Sequence, residues 1–191
     1  MEIYVVNPGD TVDSIAAQYG ISAREIIDIN QLLYPYALAI GQALLIPTED
    51  TSEPVRSVVS NGYAYPFIEE ETLQFTLPYL TELSVFSYGF TENGDLLYPS
   101  LDDRWMIALA DQAGTRSILT LTPFGEDGQF NNGLIAALVN SPEAMENLTV
   151  QLLAVMGEKG FAGVDVDFEY IRAEDRDAFT TFVAGLTKRM N

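Results

Sequence analysis

The sequence predicts an α/β protein built of a small βααβ unit followed by four β/α units. In the first 47 residues, two short apolar runs enclose two segments whose apolar residues recur at the helical period. From residue 56 onward, short strand-like runs alternate with longer helical stretches, which is typical of a parallel sheet covered by helices. Residues 48–55 are polar and unpatterned, and they predict a linker between domains at 1–47 and 56–191.

Turn and cap residues delimit the elements of the first unit. Asp10 or Thr11 can cap the first helix, and Gly20 is a typical C-terminal stop. Ser22 and Glu25 have the spacing of a capping box, which predicts that a second helix begins there. The predicted order is strand 3–6, helix 12–19, helix 23–29 and strand 43–47.

The second part reads as strand and helix in alternation, with a break near Ser141 and Pro142 in its longest helical stretch. This pattern leaves two architectures open, a doubly wound sheet and part of a (β/α)₈ barrel. No glycine-rich loop follows the first strand, which counts against nucleotide binding. The predicted strands are 57–66 with its exit loop, 83–88, 117–121 and 161–170, and the predicted helices are 69–77, 101–113, 134–159 and 175–189.

Composition excludes several classes of function. The chain has 9 Lys+Arg against 28 Asp+Glu, a net charge of −19, and it contains no His and no Cys. Imidazole-dependent nucleophiles, zinc sites and disulfides are therefore excluded, and we expect neither a metal nor a cofactor. The acidity argues against nucleic acid as a partner. No apolar run reaches the roughly 18 residues that span a membrane, and the N-terminus lacks the features of a signal peptide.

The residues that could take part in catalysis lie in the last predicted strand. Alternation places Asp165, Asp167 and Glu169 on one face, about 7 Å apart. Like charges in a low dielectric raise one another's pKa values, which is how a carboxylic acid stays protonated and serves as a general acid. The alternative is an amphipathic strand with a solvated acidic face. Parallel strands are normally buried on both faces, which favours the functional interpretation.

The first unit resembles a LysM domain over its whole length. This resemblance implies a shallow groove that binds N-acetylglucosamine chains of peptidoglycan or chitin. It assigns the binding loops to Gly9, Asp10 and Thr11 and to roughly Asn30 to Ile40, although Gly9, Asp10 and Asn30 could merely shape turns and caps. The matching residues are Tyr4, Val6, Gly9-Asp10-Thr11, Ile15-Ala16, Tyr19-Gly20, Asn30, Gly41-Gln42, Leu44 and Ile46-Pro47.

The acidic segment resembles the D-G-x-D-x-D-x-E signature of glycoside hydrolase family 18. Gly163, Asp165, Asp167 and Glu169 match it, whereas Ala162 stands where the family often has an outer Asp. Segments 61–63, 87–90 and 119–124 resemble the LysM-fused branch associated with spore germination, although the family's Ser-x-Gly-Gly motif is absent. The resemblance implies a TIM barrel, of which this chain holds four β/α units.

The second resemblance also implies a mechanism, substrate-assisted retention. Glu169 would protonate the glycosidic oxygen, Asp167 would orient the substrate's acetamide, and Asp165 would share a proton with Asp167. Tyr63 and Tyr88 lie at or near predicted strand ends, where they could stack on sugar rings, the alternative being core aromatics. Tyr65 and Phe90 are candidates of the same kind.

The two resemblances together predict a cell-wall glycan-binding glycoside hydrolase located at the cell wall or the spore. The alternative is a truncated, catalytically inactive glycan-binding protein. Residues 56–191 fall well short of the roughly 250 residues of a complete barrel. We therefore expect the N-terminal part of a longer enzyme, with little or no activity alone, or else a natural half-barrel stabilised by self-association. Chitin and peptidoglycan both remain open as substrates.

Overall fold

The computed structural model describes residues 1–47 and 57–190. The chain divides into two units, Met1–Ser57 and Val58–Asn191. The predicted linker, residues 48–55, lies outside the described residues. Within the two described ranges, no helix combines the length and the apolar character needed to cross a membrane.

The first unit has the predicted strand–helix–helix–strand order. Its two strands pair antiparallel, with Glu2 opposite Ile46 and Val5 opposite Ala43. Apolar residues of both helices and of the second strand, together with Val6, form one buried cluster, because each element turns a single apolar face inward. The elements are β1 (Glu2–Val5), α1 (Val12–Tyr19), α2 (Ala23–Ile29) and β2 (Ala43–Ile46).

The helix ends of this unit are fixed by local hydrogen bonds. Of the two candidate caps for α1, Thr11 is the cap, and it forms a reciprocal capping box with Ser14. Gly20 ends α1 in the left-handed region at φ 69°, where a side chain would be strained. The predicted box of Ser22 and Glu25 opens α2. These bonds supply partners to amides that a helix end otherwise leaves unpaired.

The second unit alternates strands and helices as predicted, with one short additional strand. The predicted helix break at Ser141 and Pro142 is confirmed, since Ser141 caps a new helix there. A 3₁₀ turn, Ala173–Asp175, precedes the last helix. The elements are β3 (Asn61–Ala64), α3 (Glu70–Thr76), β4 (Glu82–Phe90), β5 (Leu96–Leu97), α4 (Arg104–Ala113), β6 (Arg116–Leu121), α5 (Gly133–Val139), α6 (Pro142–Lys159), β7 (Gly163–Val166) and α7 (Arg176–Met190).

The strand order decides between the two architectures left open by the sequence. The parallel strands are adjacent in chain order, β3-β4-β6-β7, with β5 paired antiparallel to β4. A doubly wound sheet reverses its strand order at a switch point, whereas a (β/α)₈ barrel adds each strand beside the previous one. The described strands therefore form part of a TIM-barrel-type sheet.

A bulge in β4 changes which side chains face the helices. Val85 pairs with Leu119 and Tyr88 pairs with Leu121, so β4 uses one more residue than β6 between these two pairs. An extra residue moves all later side chains to the opposite face. Tyr88 and Phe90 consequently lie in the core beneath the helices, and neither is accessible to solvent.

Two strand predictions need correction at their ends. The first strand of the sheet begins at Asn61 and not near Ser57, and Val58 and Val59 are exposed. The last strand ends at Val166, several residues before the predicted end at Tyr170. Tyr170 has a left-handed φ of 53° and is 82% exposed, so it does not share the apolar face of Val164 and Val166.

Candidate active site

The candidate site is built on β7 and the loop that follows it. Asp165 is the third residue of β7 and lies opposite Thr120 of β6. The amide of Asp167 donates to the carbonyl of Leu121 at 2.9 Å, which holds the chain against β6 one residue beyond the strand. Glu169 is exposed in the loop and not in the strand, contrary to the prediction. The site therefore lies at the carboxyl end of a parallel sheet, where such folds place their chemistry.

An aromatic residue anchors the loop on its other side. Phe168 is packed against the core, and its ring lies 5.4 Å from that of Phe90 and 6.2 Å from that of Phe182, in a nearly parallel stack with the latter. The alternation predicted for the strand thus continues past its last ladder pair. Since Phe168 is fixed inward, its two acidic neighbours are left for the opposite side.

Asp165 has a specific partner in the first strand of the sheet. The hydroxyl of Tyr63 donates to Oδ2 of Asp165 at 2.7 Å, across 102 residues of sequence. This hydrogen bond raises the pKa of Tyr63 to about 12, with burial and the charges of Asp165 and Asp167 adding to the shift. The structure therefore brings together Tyr63 and the predicted carboxylates, although Tyr63 serves as a hydrogen-bond donor here.

Asp167 is the carboxylate whose surroundings disfavour its charge. Its pKa is raised, first by burial and then by the negative charges of Asp165 and Glu169. A group that retains its proton more readily can act as a donor as well as an acceptor. The like-charge argument drawn from the sequence therefore applies to Asp167.

Thr120 adds an unused polar atom beside these residues. It is fully buried, and its Oγ1 makes no hydrogen bond within the described residues. Its position opposite Asp165 gives both residues the same face of the sheet. A buried hydroxyl without a partner is costly, and a catalytic role is one of the reasons for which such an atom is retained.

An aromatic cleft of about 600 Å³ is lined in part by Phe86, whose ring lies beside that of Tyr63, the partner of Asp165. Its lining comes from β4 and β5, from the exit loops of β3 and β6, and from the segment after β5. Tyr65 and Phe67 stack with ring centres 4.9 Å apart, and Phe86 lies 4.8 Å from Tyr65 and 6.4 Å from Tyr63. Glu126 is the charged residue of the lining. Stacked rings and low charge suit the face of an uncharged sugar.

Sequence reasoning identified this cleft only in part. It proposed Tyr65 but missed Phe86 and Phe124, whose rings are 6.1 Å apart. Its assignment of Tyr88 to sugar contact is wrong, because the bulge in β4 turns this side chain into the core. Phe90 is buried for the same reason and cannot stack on a sugar. A bulge leaves no mark in the residue pattern that could have been used.

In the first unit, the predicted loop is held by its own side chains. Asp10 accepts hydrogen bonds from the Tyr4 hydroxyl and from the Asn7 amide, both at 2.7 Å. These bonds, that of the Asn7 amide first, lower the pKa of Asp10. Gly9 has a φ of 90°, and Thr11 is occupied as a helix cap. The side chains of Asp10 and Thr11 are therefore already engaged in hydrogen bonds within the loop.

Asn30 is a structural tie between α2 and β2. Its side-chain amide donates to the carbonyls of Ile26 and Leu45 at 2.9 and 2.8 Å, and its Oδ1 accepts from the Leu45 amide at 2.7 Å. Both amide protons are therefore used. The assignment of Asn30 to a sugar-binding loop stays a prediction, and the bonds of its side chain agree with the alternative of a residue that shapes the turn and cap.

Metal-binding geometry is missing from the part of the chain that the structure describes. Within residues 1–47 and 57–190, no three acidic side chains lie close enough together to hold a metal ion. The expectation that neither metal nor cofactor takes part stays a prediction.

Comparison with known proteins relates both units to proteins of the bacterial wall. Residues 4–47 match the LysM domain family. The cortical fragment-lytic enzyme of Bacillus subtilis is 31% identical over 234 residues, covering 96% of this chain and 54% of that protein. The corresponding enzyme of Bacillus anthracis is 27% identical over 241 residues, covering 100% and 56%. The chain spans about half the length of the curated relatives it matches.

Solved structures give the same relationship. The spore cortex-lytic enzyme SleL of Bacillus cereus has a TM-score of 0.66 at 26% identity, covering 100% of this chain and 44% of that one. A class V chitinase of Pseudomonas fluorescens has a TM-score of 0.61 at 26% identity, covering 68% and 40%. The chain thus carries a LysM domain and a region homologous to chitinase-like spore cortex-lytic enzymes, which confirms both resemblances seen in the sequence.

Proposed function

We propose that the chain is a cell-wall glycan-binding glycoside hydrolase that cleaves β-1,4 bonds next to N-acetylglucosamine by substrate-assisted retention. The observation that carries this proposal is the group formed by Tyr63, Asp165, Asp167 and Glu169 at the carboxyl end of β7. The group combines an exposed acid, a carboxyl of raised pKa and a carboxylate with its own donor. Each member has a separate part in the reaction.

In the first step, Glu169 donates its proton to the glycosidic oxygen as the bond from that oxygen to the anomeric carbon breaks. The carbonyl oxygen of the substrate's N-acetyl group forms the new bond to the anomeric carbon, which yields an oxazolinium ion. Exposure of Glu169 in the loop after β7 leaves it accessible to a bound saccharide. General acid catalysis of this kind contributes about 10²- to 10⁴-fold to the rate.

Asp167 holds the acetamide during this step. It accepts the acetamide N–H and offsets the positive charge that develops on the ring being formed. We assign it a proton shared with Asp165 before the substrate is bound, and the upward shift of its pKa, caused first by burial and then by the charges of Asp165 and Glu169, supports this assignment. Asp165, fixed by the hydroxyl of Tyr63, takes up that proton when Asp167 becomes charged.

In the second step, Glu169 acts as a base. It removes a proton from a water molecule, the water oxygen attacks the anomeric carbon, and the bond to the carbonyl oxygen breaks. The N-acetyl group is restored, and the configuration at the anomeric carbon is retained after two inversions. The proton gained by Glu169 prepares it for the next cycle.

The LysM domain would bring the chain to its substrate. We assign sugar contact there to the loop of Gly9, Asp10 and Thr11, chiefly through its backbone. The net charge of −19 disfavours contact with anionic wall polymers, so attachment depends on neutral sugar. Relatives that act as cortical fragment-lytic enzymes favour peptidoglycan as the substrate and the cell wall or spore as the location.

Turnover of a fluorogenic N-acetylchitobioside by the 191-residue chain tests the catalytic assignment. We expect slow hydrolysis that falls at least about a hundredfold in Glu169→Gln, because the proton donor is lost. Glu174→Gln removes a neighbouring exposed carboxylate and is the matched control. Anomeric proton spectra of the first product should show retained configuration.

Binding is measured separately, by sedimentation with insoluble peptidoglycan and chitin. Glu169→Gln should bind as the unmodified chain does. Hydrolysis that is equal in Glu169→Gln and the unmodified chain contradicts the role of Glu169. Binding without any hydrolysis, together with no affinity for a thiazoline analogue of the oxazolinium ion, identifies the chain as an inactive glycan-binding protein.

A further inference from the structure

The lining of the aromatic cleft has parts of different origin. The stacked pair of Tyr65 and Phe67 belongs to the exit loop of β3 and forms one part. Residues 97–101, from the connection between β4 and α4, supply another part of the lining. The shape of the cleft therefore depends on how residues 91–103, here called the β4–α4 connection, are held in place.

Asn147 of α6 holds the tip of the β4–α4 connection. Its side-chain amide donates to the carbonyl of Asn93 at 3.0 Å and to Oδ1 of Asp95 at 2.9 Å. The other carboxylate oxygen of Asp95 accepts from the hydroxyl of Thr91 at 3.1 Å, which closes the turn on itself. Asn147 is therefore bonded both to the backbone and to the side chain that shapes this turn.

Gln151, one helical turn further along α6, holds the strand that follows the tip. Its Oε1 accepts from the Leu96 amide at 3.1 Å, and its Nε2 donates to the Gly94 carbonyl at 3.3 Å. Gly94 lies so close to the backbone of Ala144 that a Cβ would come within 2.1 Å of the Ala144 oxygen. The backbone of Gly94 therefore packs directly against α6, and no side chain would fit at this position.

A second set of contacts with α6 lies at the other end of the β4–α4 connection. Lys159, the last residue of α6, forms a buried ion pair with Asp103 and donates to the hydroxyl of Tyr88. Its ammonium group also lies 5.2 Å from the ring centre of Tyr98, which lines the cleft. Helix α6 therefore contacts the β4–α4 connection both before and after residues 97–101, which line the cleft.

We infer that Asn147 and Gln151 are positioning residues that hold this part of the cleft lining in the position a saccharide requires. This inference rests on the proposed function, since it takes the cleft to be a sugar site of the hydrolase. A loop fixed before binding loses less conformational entropy when a ligand binds. Neither residue lines the cleft, so their effect on affinity passes through residues 97–101.

The test uses Asn147→Asp, which replaces the donating amide with a carboxylate facing Asp95. Adding Asp95→Asn restores an amide–carboxylate pair across the contact with residue 95, although not the bond to the Asn93 carbonyl, and should rescue binding in part. Val150→Asp places the same charge at an exposed position of α6 and is the matched control. A loss that is rescued by the exchanged pair separates positioning from a general effect of charge or stability.

Affinity for an N-acetylglucosamine tetrasaccharide is measured on the full chain from the amide resonances of glycines. Gly89, Gly125 and Gly128 line the cleft, whereas Gly9 and Gly41 report on the LysM domain. We expect Asn147→Asp to weaken binding at the cleft about three- to tenfold, the worth of one or two hydrogen bonds, with LysM binding unchanged.

The outcomes separate this inference from the proposed function. Equal cleft affinity in Asn147→Asp and the unmodified chain overturns the inference alone. A loss that Asp95→Asn does not rescue, or that Val150→Asp reproduces, also overturns it. Saccharide shifts in the LysM glycines with none in the cleft glycines of the unmodified chain overturn the assignment of the cleft as a sugar site, and the inference with it.

Discussion

The polar candidates of the two units differ in how much of their hydrogen-bonding capacity the fold has already used. In the LysM domain, Asn30 donates both protons of its side-chain amide to backbone carbonyls, and Thr11 caps a helix. At the exit of β7, Asp167 is half-buried among like charges. Both sets of residues are site candidates from the sequence.

This difference distinguishes residues that stabilise the fold from residues that are proposed to take part in the reaction. A polar side chain whose donors and acceptors are satisfied within the fold lowers the energy of the native state. A carboxyl group pressed against other carboxylates raises that energy, and such groups are retained where chemistry requires them. Substitutions in the two units should therefore change stability in opposite directions.

The largest expected effect is that of Asp167→Asn on hydrolysis. The amide cannot carry the negative charge that stabilises the oxazolinium ion, so turnover of the fluorogenic chitobioside should fall at least about a hundredfold. The same substitution should raise the free energy of unfolding at neutral pH, because it removes a charge that burial and the neighbouring carboxylates destabilise.

The pH dependence of stability gives the sign of this effect. The folded-state pKa of Asp167 lies above its ordinary 3.8, so the folded chain binds this proton more tightly than the unfolded chain. The resulting stabilisation is complete below about 3.8 and is lost as the pH rises through the folded-state pKa. In urea denaturation, the free energy of unfolding of Asp167→Asn should increase relative to that of the unmodified chain as the pH rises. Asp111→Asn, on the surface of α4, should show no such increase.

Replacement of Asn30 should have a smaller effect and the opposite sign. Asn30→Ala removes three hydrogen bonds and leaves the amide and carbonyl of Leu45 without these partners, which costs about 2–3 kcal/mol. Denaturation of the LysM domain, followed through its own resonances, measures this loss. Gln18→Ala, at an exposed position of α1, is the control.

Asn30→Asp refines this second comparison, since it keeps the acceptor for the Leu45 amide and loses both donors. Its stability should lie between those of Asn30→Ala and the unmodified chain. A LysM domain that keeps its stability in Asn30→Ala but loses affinity for sugar would contradict the structural role assigned to this residue.

Most of the fold could be predicted because its signals are local. Capping residues such as Ser22 and Glu25 satisfy helix ends through bonds within four residues, so the sequence contains both partners. The break at Ser141 and Pro142 is local for the same reason. The end of β7 was harder to predict, because Phe168 continues the alternation after the ladder has stopped.

The candidate site was predictable only where its residues are close in sequence. Asp165, Asp167 and Glu169 could be grouped by their spacing, whereas the partner of Asp165 is Tyr63, which lies 102 residues earlier. The burial of Tyr88 depends on the bulge, which appears only when β4 is aligned with β6. Long-range pairing and register are set by the assembled sheet, and residue patterns do not record them.

The smallest and most local of the expected effects is a change in the pKa of Tyr63 when its hydrogen bond to Asp165 is removed. Asp165→Asn should lower the pKa of Tyr63 from about 12 toward its ordinary 10, because the carboxylate that accepts the phenolic proton is the main cause of the shift. Ring-labelled tyrosine spectra between about pH 9 and 12 would follow this titration, with Tyr63→Phe used to assign the resonance. An unchanged pKa in Asp165→Asn would mean that Asp165 is not held by Tyr63 in solution. Asp165 would then resemble Asp167, a carboxylate among like charges without a fixed donor, and the proton-sharing role assigned to it would lose its structural support.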